Sequence, residues 1–433
     1  MSKTDFNTGL LQFLQQSPTP FHAVKNMAAA LQLAGFIKLD ERDAWKLEKN
    51  ASYYVTRNDS SLIAFKTGTQ DVVDTGIRLA AAHTDSPCLK IKPTPEIRQR
   101  GYLQLGVEVY GGALLHPWFD RDLSIAGRVD FQTREAALDS VLIDIKDPVA
   151  FIPSLAIHLD RTANEGRKIN QQKELPAILL QLDSGEGFDL DEFLLAHLQQ
   201  ELGLDVADKV LSHELLLYDT QAPAMVGLKQ QFIASARLDN LLSCHLICQA
   251  LIESSDEYAN LMVCNDHEEV GSVSASGAQG PFLKAVLGRI VNSQRTDADA
   301  YERTLRQSML LSIDNAHGIH PNFPGKHDDK HSPLLNGGPV IKINANQRYA
   351  SNSKSVALFK SLCEKLDVPY QSFVTRSDMA CGSTIGPITA AGIGVTTVDV
   401  GLASFGMHSI RELVGAEDAE VLAEVVVAFY NRG

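Results

Sequence analysis

Two adjacent glutamates, Glu268 and Glu269, lie in the segment CNDHEEVGS, directly after an apolar run. The run NLMVC predicts a buried strand, so the pair follows the carboxyl end of that strand. Successive residues of an extended chain point in different directions, so the two carboxylates cannot perform one task together. One could bind a cation while the other faces a substrate. Taken alone, however, the pair is better explained as a solvated acidic turn.

Ligand-type side chains follow other apolar runs in the same way. RLAAAHTDSP leads into His83 and Asp85, MLLSIDNAHG leads into Asp314, and VDVGLASFGMHS carries His408 in the loop after a further strand. Asp239 lies in ARLDN, where a helix is predicted to begin. Reactive groups in an open α/β sheet gather beyond the carboxyl ends of its strands. We therefore predict convergence of five side chains: His83, Asp239, Glu269, Asp314 and His408.

Two imidazoles and three carboxylates suit divalent Zn, Co or Mn better than Ca²⁺, which prefers oxygen ligands alone. Three carboxylates exceed what one catalytic zinc ion usually binds, and they fit two ions about 3.5 to 4 Å apart with one bridging carboxylate. Such a pair lowers the pKa of a shared water, whose proton a nearby carboxylate can accept. The sequence thus predicts two divalent cations, with one of the adjacent glutamates as a ligand and its neighbour as the general base.

Other motifs give weaker predictions. SHELLLY begins like the zinc-binding motif HExxH, but Leu217 replaces the second histidine. The four histidines of AHGIHPNFPGKHDDKHSP lie in a segment interrupted by Pro and Gly, which favours a loop near the active site over a structural zinc site. SDMACGSTIGP could cradle a phosphate, but a loop that lines a substrate pocket is the preferred interpretation. The sequence contains neither a GxSxG elbow nor a Walker A loop.

Composition limits the class of protein. The chain has 433 residues, 44% hydrophobic and 21% charged, which is typical of a soluble protein with two or three domains. Its net charge of −14 argues against a nucleic-acid partner, and an acidic substrate would need a specific local cation. Without a signal sequence or a long apolar run, the chain is predicted to be cytoplasmic with no membrane contact. The six cysteines are predicted to be reduced thiols.

The order of the predicted elements indicates an α/β fold. In the second half of the chain, short apolar runs alternate with helical patterns. The stretch 93–234 differs: strand-like runs, one amphipathic helix and Pro-bounded joints predict a mostly-β insertion. The predicted organisation is a catalytic domain formed by 1–92 and 235–433, interrupted by an inserted domain at 93–234.

Seven segments in this order resemble the aspartyl aminopeptidase family of dinuclear zinc exopeptidases, and bacterial-type members in particular. They are AAHTDSP, ARLDNL, DHEEVGS, NAHGIHPNFPGKHDDKHSP, IKINANQRYASN, CGSTIGP and GMHSIREL. The resemblance extends from SPTPFHAV near the start to GMHSIREL near the end, so it covers nearly the whole chain.

The resemblance implies a role for each site residue. The implied metal ligands are His83 and Asp314 on one ion, His408 and Glu269 on the other, and Asp239 between them, most simply with two zinc ions. Glu268 would be the general base, and Asp85 would support His83 from behind. His158 in AIHLDR would contact the substrate across a subunit boundary, with metal ligation as the alternative. Lys342 would pair with the acidic side chain of the substrate's first residue, which supplies the local cation.

The resemblance also implies an activity and an assembly. The implied reaction is removal of N-terminal residues, preferably Asp or Glu, from peptides by a hydroxide that bridges the two metals. The implied fold is a phosphorylase/hydrolase-like zinc-peptidase domain with an inserted dimerisation domain, and the implied assembly is a tetrahedral dodecamer built from dimers. A related amidohydrolase that acts on non-peptide or N-acyl substrates is one alternative. A non-catalytic assembly or cargo protein is another, although such a protein has no need to retain all five ligands and the base.

Overall fold

The computed structural model describes residues 3–183 and 187–432, with side chains from residue 6 onward. The helices are α1 Lys3–Gln16, α2 Pro20–Leu33, α3 Val72–Thr75, α4 Gln171–Glu174, α5 Leu190–Gln200, α6 Leu238–Glu253, α7 Phe282–Gln294, α8 Ala300–Gln307, α9 Ser353–Lys365, α10 Ile385–Ile393 and α11 Asp418–Tyr430. The strands are β1 Ile37–Lys38, β2 Ser52–Arg57, β3 Ser61–Lys66, β4 Ile77–His83, β5 Cys88–Gln99, β6 Tyr102–Tyr110, β7 Leu123–Thr133, β8 Leu138–Asp144, β9 Ala177–Gln181, β10 Ala207–Asp219, β11 Ala224–Val226, β12 Phe232–Ser235, β13 Ala259–Asn265, β14 Met309–Ile313, β15 Ala316–His317, β16 Val340–Lys342, β17 Gln371–Phe373, β18 Thr396–Gly401, β19 Ala403–Phe405 and β20 Glu412–Gly415.

The chain divides into two compact units. The first contains the chain up to Ser86, Pro223–Met407 and the chain from Glu412 onward, and the second contains Pro87–Ala222 and His408–Arg411. The sequence-based boundaries at 93 and 234 differ from these because both fall inside strands. The proline-rich segment KPTPE, which suggested a joint, lies within β5, where the pairing with β6 shifts register between Ile91 and Glu96.

The first unit is built on a nine-stranded sheet with the order β1-β2-β3-β13-β4-β14-β18-β16-β17. Strand β4 lies at its centre and pairs in parallel with both β13 and β14. Alternate residues of β4 enter different apolar cores: Ala80 and Ala82 pack in one, Leu79 and Ala81 in the other. Because parallel strands are buried on both faces, they appear in the sequence as continuous apolar runs. A second sheet in this unit has the order β11-β12-β20-β19-β15.

The second unit contains a six-stranded sheet with the order β8-β7-β10-β5-β6-β9, and its pairs are antiparallel. Its core includes Trp118, Phe131 and the buried face of α5, from which Leu194 and Leu198 project. The α/β fold with a mostly-β second unit is therefore confirmed. Within the described residues, no helix has both the length and the apolar character that crossing a bilayer requires.

Candidate metal centre

The site begins where the central strands of the first unit end. His83 is the last residue of β4 and lies opposite Asn265, the last residue of β13. Asp314 directly follows β14, the other parallel neighbour of β4. Parallel strands in register bring their carboxyl ends to one edge of the sheet. Side chains separated by more than 200 residues of sequence thereby meet at that edge.

The His83 imidazole is surrounded by carboxylates. Its Nε2 lies 3.5 Å from Oδ1 of Asp239 and 3.7 Å from Oδ1 of Asp314, and its side chain is 1% exposed. Its Nδ1 lies 3.4 Å from Oδ1 of Asp85 and 3.0 Å from the Asp85 carbonyl oxygen. Burial favours the neutral ring, but the three carboxylates outweigh burial and raise the pKa of His83 well above its usual value. Each of the three carboxylates thus faces this one imidazole.

Asp239 is held at the irregular beginning of α6. Arg237 before it has a left-handed backbone, and Asp239 and Asn240 have non-helical torsion angles and are joined by a cis peptide bond. The Asp239 N–H donates to Oε2 of Glu412 over 2.8 Å, and its carbonyl oxygen accepts from the Ser86 hydroxyl over 2.6 Å. These contacts fix the backbone of Asp239 from both sides.

Asp85 also fixes the two adjacent glutamates. Its Oδ1 accepts from the backbone N–H of Glu268, and its Oδ2 accepts from that of Glu269, each over 3.1 Å. The glutamates lie on a single 3-10 turn between His267 and Gly271, both of which have positive φ angles. Asp85 thus contacts both His83 and the glutamate backbone, and its predicted supporting role stays a prediction. Its two bonds to the glutamate backbone were not predicted.

The glutamates are crowded by like charges. The pKa of Glu268 is raised to about 7 and that of Glu269 to about 10. Burial is the main cause of both shifts, and the neighbouring carboxylates contribute to them. Burial also opposes ionisation of Asp314, but the charges of Lys342 and His83 hold the pKa of Asp314 below its usual value. The cluster therefore has an excess of acidic groups.

These residues fit divalent cations. One ligand atom each from His83, Asp239 and Asp314 lies within 4.8 Å of the others, and the same limit holds for His83, Glu268 and Glu269. Mixed imidazole and carboxylate donors suit Zn²⁺, Co²⁺ or Mn²⁺. Cations would also neutralise carboxylates that would otherwise repel one another.

Lys342, the predicted partner of an acidic substrate, is the last residue of β16 and is 1% exposed. Its Nζ donates to Oδ2 of Asp314 over 3.3 Å and to the Asn315 carbonyl oxygen over 3.2 Å. The same Nζ lies 5.1 Å from the ring centroid of Tyr349. Lys342 therefore joins the carboxylate cluster directly, a contact that the sequence did not reveal.

Two predicted site residues belong to the second unit. His408 lies in the segment His408–Arg411, where its Nδ1 is 3.1 Å from the Gly112 carbonyl oxygen. His158 is exposed in a turn of that unit. Their predicted roles, as a metal ligand and as a substrate contact, stay predictions.

A cavity of about 310 Å³ is lined by both of the loops that the sequence assigned to the neighbourhood of the site. His317, His320 and His327 come from the histidine-rich loop, and Met379 comes from the glycine-rich loop. His317 and His320 pack against the rings of Phe373 and Phe405. Within the described part of the chain, the histidines of this loop form no group of three potential metal ligands.

Glu412 and Asp399 are two side chains near the site that sequence reasoning missed. Glu412 lies in GMHSIREL and accepts the Asp239 N–H, whereas Asp399 lies inside the apolar run of β18. A charged residue within a buried strand was the available signal for Asp399, because such a residue needs hydrogen-bond partners.

An α/β sheet that gathers imidazole and carboxylate groups beyond its parallel strands is typical of metal-dependent hydrolases. Comparison with known proteins narrows this class. The family model described as aminopeptidase I zinc metalloprotease (M18) matches residues 13–430. The chain therefore belongs to the peptidase M18 family, which confirms the resemblance that the sequence motifs suggested.

Individual relatives are similar over nearly the whole chain. The Probable M18 family aminopeptidase 2 of Ectopseudomonas mendocina is 59% identical over 423 residues, covering 98% of this chain and 97% of that protein. A chain of the cryo-EM structure of the Ape4 and Nbr1 complex is 39% identical with a TM-score of 0.95, covering 99% of this chain and 86% of that one. A chain of the S. cerevisiae mApe1 dodecamer is 27% identical with a TM-score of 0.85, covering 98% of this chain and 96% of that one.

Proposed function

We propose that this M18 aminopeptidase is a dinuclear metal enzyme that removes N-terminal Asp or Glu residues from peptides. The observation that carries the proposal is the buried cluster in which His83 faces Asp85, Asp239 and Asp314 beside the adjacent glutamates. Family membership supports the aminopeptidase activity and the use of zinc. The cluster supports the count of two ions, because the three carboxylates proposed as ligands, Asp239, Glu269 and Asp314, exceed what one catalytic zinc ion usually binds.

In this proposal His83 and Asp314 would hold one ion, Glu269 and His408 would hold the other, and Asp239 would be the ligand shared by both. Zinc is the expected metal, and Co²⁺ or Mn²⁺ are alternatives with similar ligand preferences. Divalent cations at these ligands would lower the pKa of water and polarise the scissile carbonyl group.

Glu268 acts as the general base. It accepts a proton from water and donates it to the nitrogen of the leaving peptide. Its position supports this role: its carboxylate lies within 4.8 Å of ligand atoms of His83 and Glu269, and Asp85 fixes its backbone. The neighbouring residue Glu269 is then available as a ligand, which explains why two glutamates are adjacent.

Lys342 gives the preference for acidic residues. A chain with a net charge of −14 repels acidic substrates at long range, so a local cation is needed to bind them. An ammonium group has three N–H donors, of which Asp314 and Asn315 use two. The third can bind the substrate carboxylate. A neutral substrate offers no acceptor to this third N–H, so it should bind more weakly than an acidic one.

The assembly proposed for this chain is a homo-oligomer, with a dodecamer as the expected form. The structural neighbour mApe1 of S. cerevisiae is a dodecamer, and this chain matches it over 98% of its length. The second unit would be the dimerisation domain, and His158, which is exposed in that unit, would contact substrate in an adjoining subunit.

The test uses purified protein that has been stripped by a chelator and then supplied with Zn²⁺, Co²⁺ or Mn²⁺. Activity should return with metal and should be greatest on aspartyl and glutamyl amides, smaller on leucyl amide and absent on acetyl-aspartyl amide, which lacks the free amine. Activity without metal would refute the mechanism. Equal activity on leucyl amide would refute the specificity. Hydrolysis of the acetylated amide would favour an amidohydrolase that acts on N-acyl substrates.

The variant Glu268→Gln separates the base from the ligands. It should retain bound metal, because the amide replaces a group outside the proposed ligand set, and it should lose roughly 100-fold or more in kcat. Metal content by elemental analysis and kcat on aspartyl amide measure the two effects. Near-normal kcat would show that Glu268 is not the base.

A further inference from the structure

Asp399 is a fully buried carboxylate that the proposed reaction does not use. It lies in β18 and is 0% exposed. Its Oδ1 accepts from the Thr384 hydroxyl over 2.7 Å, and its Oδ2 accepts from the Ala350 N–H over 2.6 Å. Burying a carboxylate costs desolvation free energy, which hydrogen-bond donors around it must offset. The donors to Asp399 therefore compensate for its burial. Burial accordingly raises the pKa of Asp399, whereas the nearby charge of Lys342 opposes the rise.

The two donors belong to different segments. Thr384 directly precedes α10, in the glycine-rich segment, and Ala350 belongs to the segment RYAS that follows β16. The neighbouring residue Ser351 adds a second attachment of RYAS to β18, since its hydroxyl accepts the Asp399 N–H over 2.9 Å. The space around the carboxylate is also closely fitted: a Cβ at Gly386 would lie 2.3 Å from Oδ1 of Asp399. One side chain thus joins β18 to two separate segments.

The residue next to Ala350 connects this junction to the site. Tyr349 is 6% exposed, and its ring lies 5.1 Å from Nζ of Lys342, a distance at which the ring and the ammonium attract each other. Tyr349 also lines the 310 Å³ cavity together with Phe373. If the Ala350 backbone moves, the Tyr349 ring moves with it, and Lys342 loses the ring that covers its ammonium.

We propose that Asp399 is a positioning residue for substrate selectivity, which holds Tyr349 over Lys342 through its bond to the Ala350 backbone. This inference rests on the proposed function, because it assumes that Lys342 binds the acidic side chain of the substrate. Asp399 does not touch the substrate. Its effect should therefore appear as a higher KM for acidic substrates, with little change in kcat on neutral ones.

The experiment compares Asp399→Ala, Asp399→Asn and a matched control, Asp418→Ala. Asp418 is also a buried carboxylate that accepts two donors, the N–H groups of Asn336 and Gly338, but it does not hold Tyr349. The selectivity is the ratio of kcat/KM on aspartyl amide to kcat/KM on leucyl amide. Asp399→Ala should lower this ratio roughly tenfold, the value of one hydrogen bond to a charged group. Asp418→Ala should lower the melting temperature but leave the ratio unchanged.

Asp399→Asn should restore most of the ratio, because its amide oxygen can accept from Ala350 while its NH₂ group donates to the Thr384 oxygen. If Asp399→Ala does not fold, Thr384→Val removes one of the two anchors and should lower the ratio severalfold. A ratio that stays at the wild-type value in the folded Asp399→Ala protein, or in Thr384→Val when the former does not fold, overturns the inference. An equal fall of the ratio in Asp418→Ala also overturns the inference. A wild-type protein with no acidic preference overturns the proposed specificity itself, and this inference with it.

Discussion

Replacing Asp85 with Asn removes one of the two oxygen acceptors that hold the backbone of both glutamates. The carboxylate accepts the N–H groups of Glu268 and Glu269, each over 3.1 Å. An asparagine has one oxygen, so its NH₂ group must face one of these two N–H donors and that bond is lost. A hydrogen bond to a charged group contributes about 1.5 to 3 kcal/mol, which corresponds to roughly 10- to 100-fold in an equilibrium or a rate.

Loss of this hydrogen bond should reduce metal affinity and activity more than folding stability. Asp85 also lies against Nδ1 of His83, and partners of metal-binding histidines typically contribute about 10- to 100-fold to metal affinity or activity. We expect Asp85→Asn to remain folded, to release zinc to a competing chelator at a lower chelator concentration, and to lose roughly 10- to 100-fold in kcat/KM. Chelator titration followed by elemental analysis, together with steady-state kinetics on aspartyl amide, measures both effects.

Asp418→Asn is the matched control for this variant. Asp418 is buried and accepts two backbone N–H groups, over 2.6 and 2.9 Å, so the same substitution breaks a comparable bond away from the cluster. Its kcat/KM should stay within about twofold of the wild-type value, which is below the effect of one such bond. The reasoning fails if Asp85→Asn keeps the wild-type metal affinity and kcat/KM, or if both variants lose activity equally.

Three further predictions concern stability and packing. His245 is buried between the rings of Phe6 and Phe13, and burial lowers its pKa to about 4. Between about pH 6.5 and 4 the unfolded chain therefore binds a proton that the folded chain does not, so stability should fall by about 3 kcal/mol as the pH falls through this window. His245→Phe should remove that part of the acid sensitivity in unfolding measurements at pH 7.5 and 4.5, and an unchanged sensitivity would contradict the assignment. Gly401→Ala should lower kcat/KM roughly tenfold or more, because the new Cβ would lie 1.7 Å from the Asp314 carbonyl oxygen. The control Gly288→Ala lies in α7 with open space around it and should raise the free energy of unfolding by up to about 1 kcal/mol. Equal effects of the two variants in thermal unfolding and kinetics would contradict this prediction. Chelation should lower the melting temperature and zinc should restore it, because a ligand at 100 times its Kd stabilises the folded state by about 2.7 kcal/mol. An unchanged melting temperature would argue against a metal at the carboxylate cluster.

The strands that carry the site were predictable because they are buried on both faces. The apolar runs NLMVC and MLLSI correspond to β13 and β14; Asp314 directly follows β14, and the glutamates lie in the turn after β13. A parallel sheet then requires these ends to meet at one edge. The grouping of His83 with Asp239 and Asp314 therefore followed from the order of the elements and from the types of the residues.

Contacts that depend on exact side-chain direction were not predictable. No local pattern indicates that Asp85 accepts from the backbone of residues more than 180 positions later, or that Glu412 accepts from Asp239. The predicted boundaries at 93 and 234 differ from those of the compact units for another reason. Prolines in KPTPE suggested a break, but an irregular register in β5 accommodates them within a continuous strand.

The cluster draws on strands that are widely separated along the chain. His83 ends β4, the glutamates follow β13, and Asp314 follows β14, which begins at Met309. During synthesis the ribosome therefore releases roughly three quarters of the polypeptide before Asp314 can join the other groups. A nascent or truncated chain that ends before Met309 carries His83 and both glutamates but lacks Asp314. The cluster cannot be completed on such a fragment, so peptide hydrolysis at this site would have to await translation past Asp314.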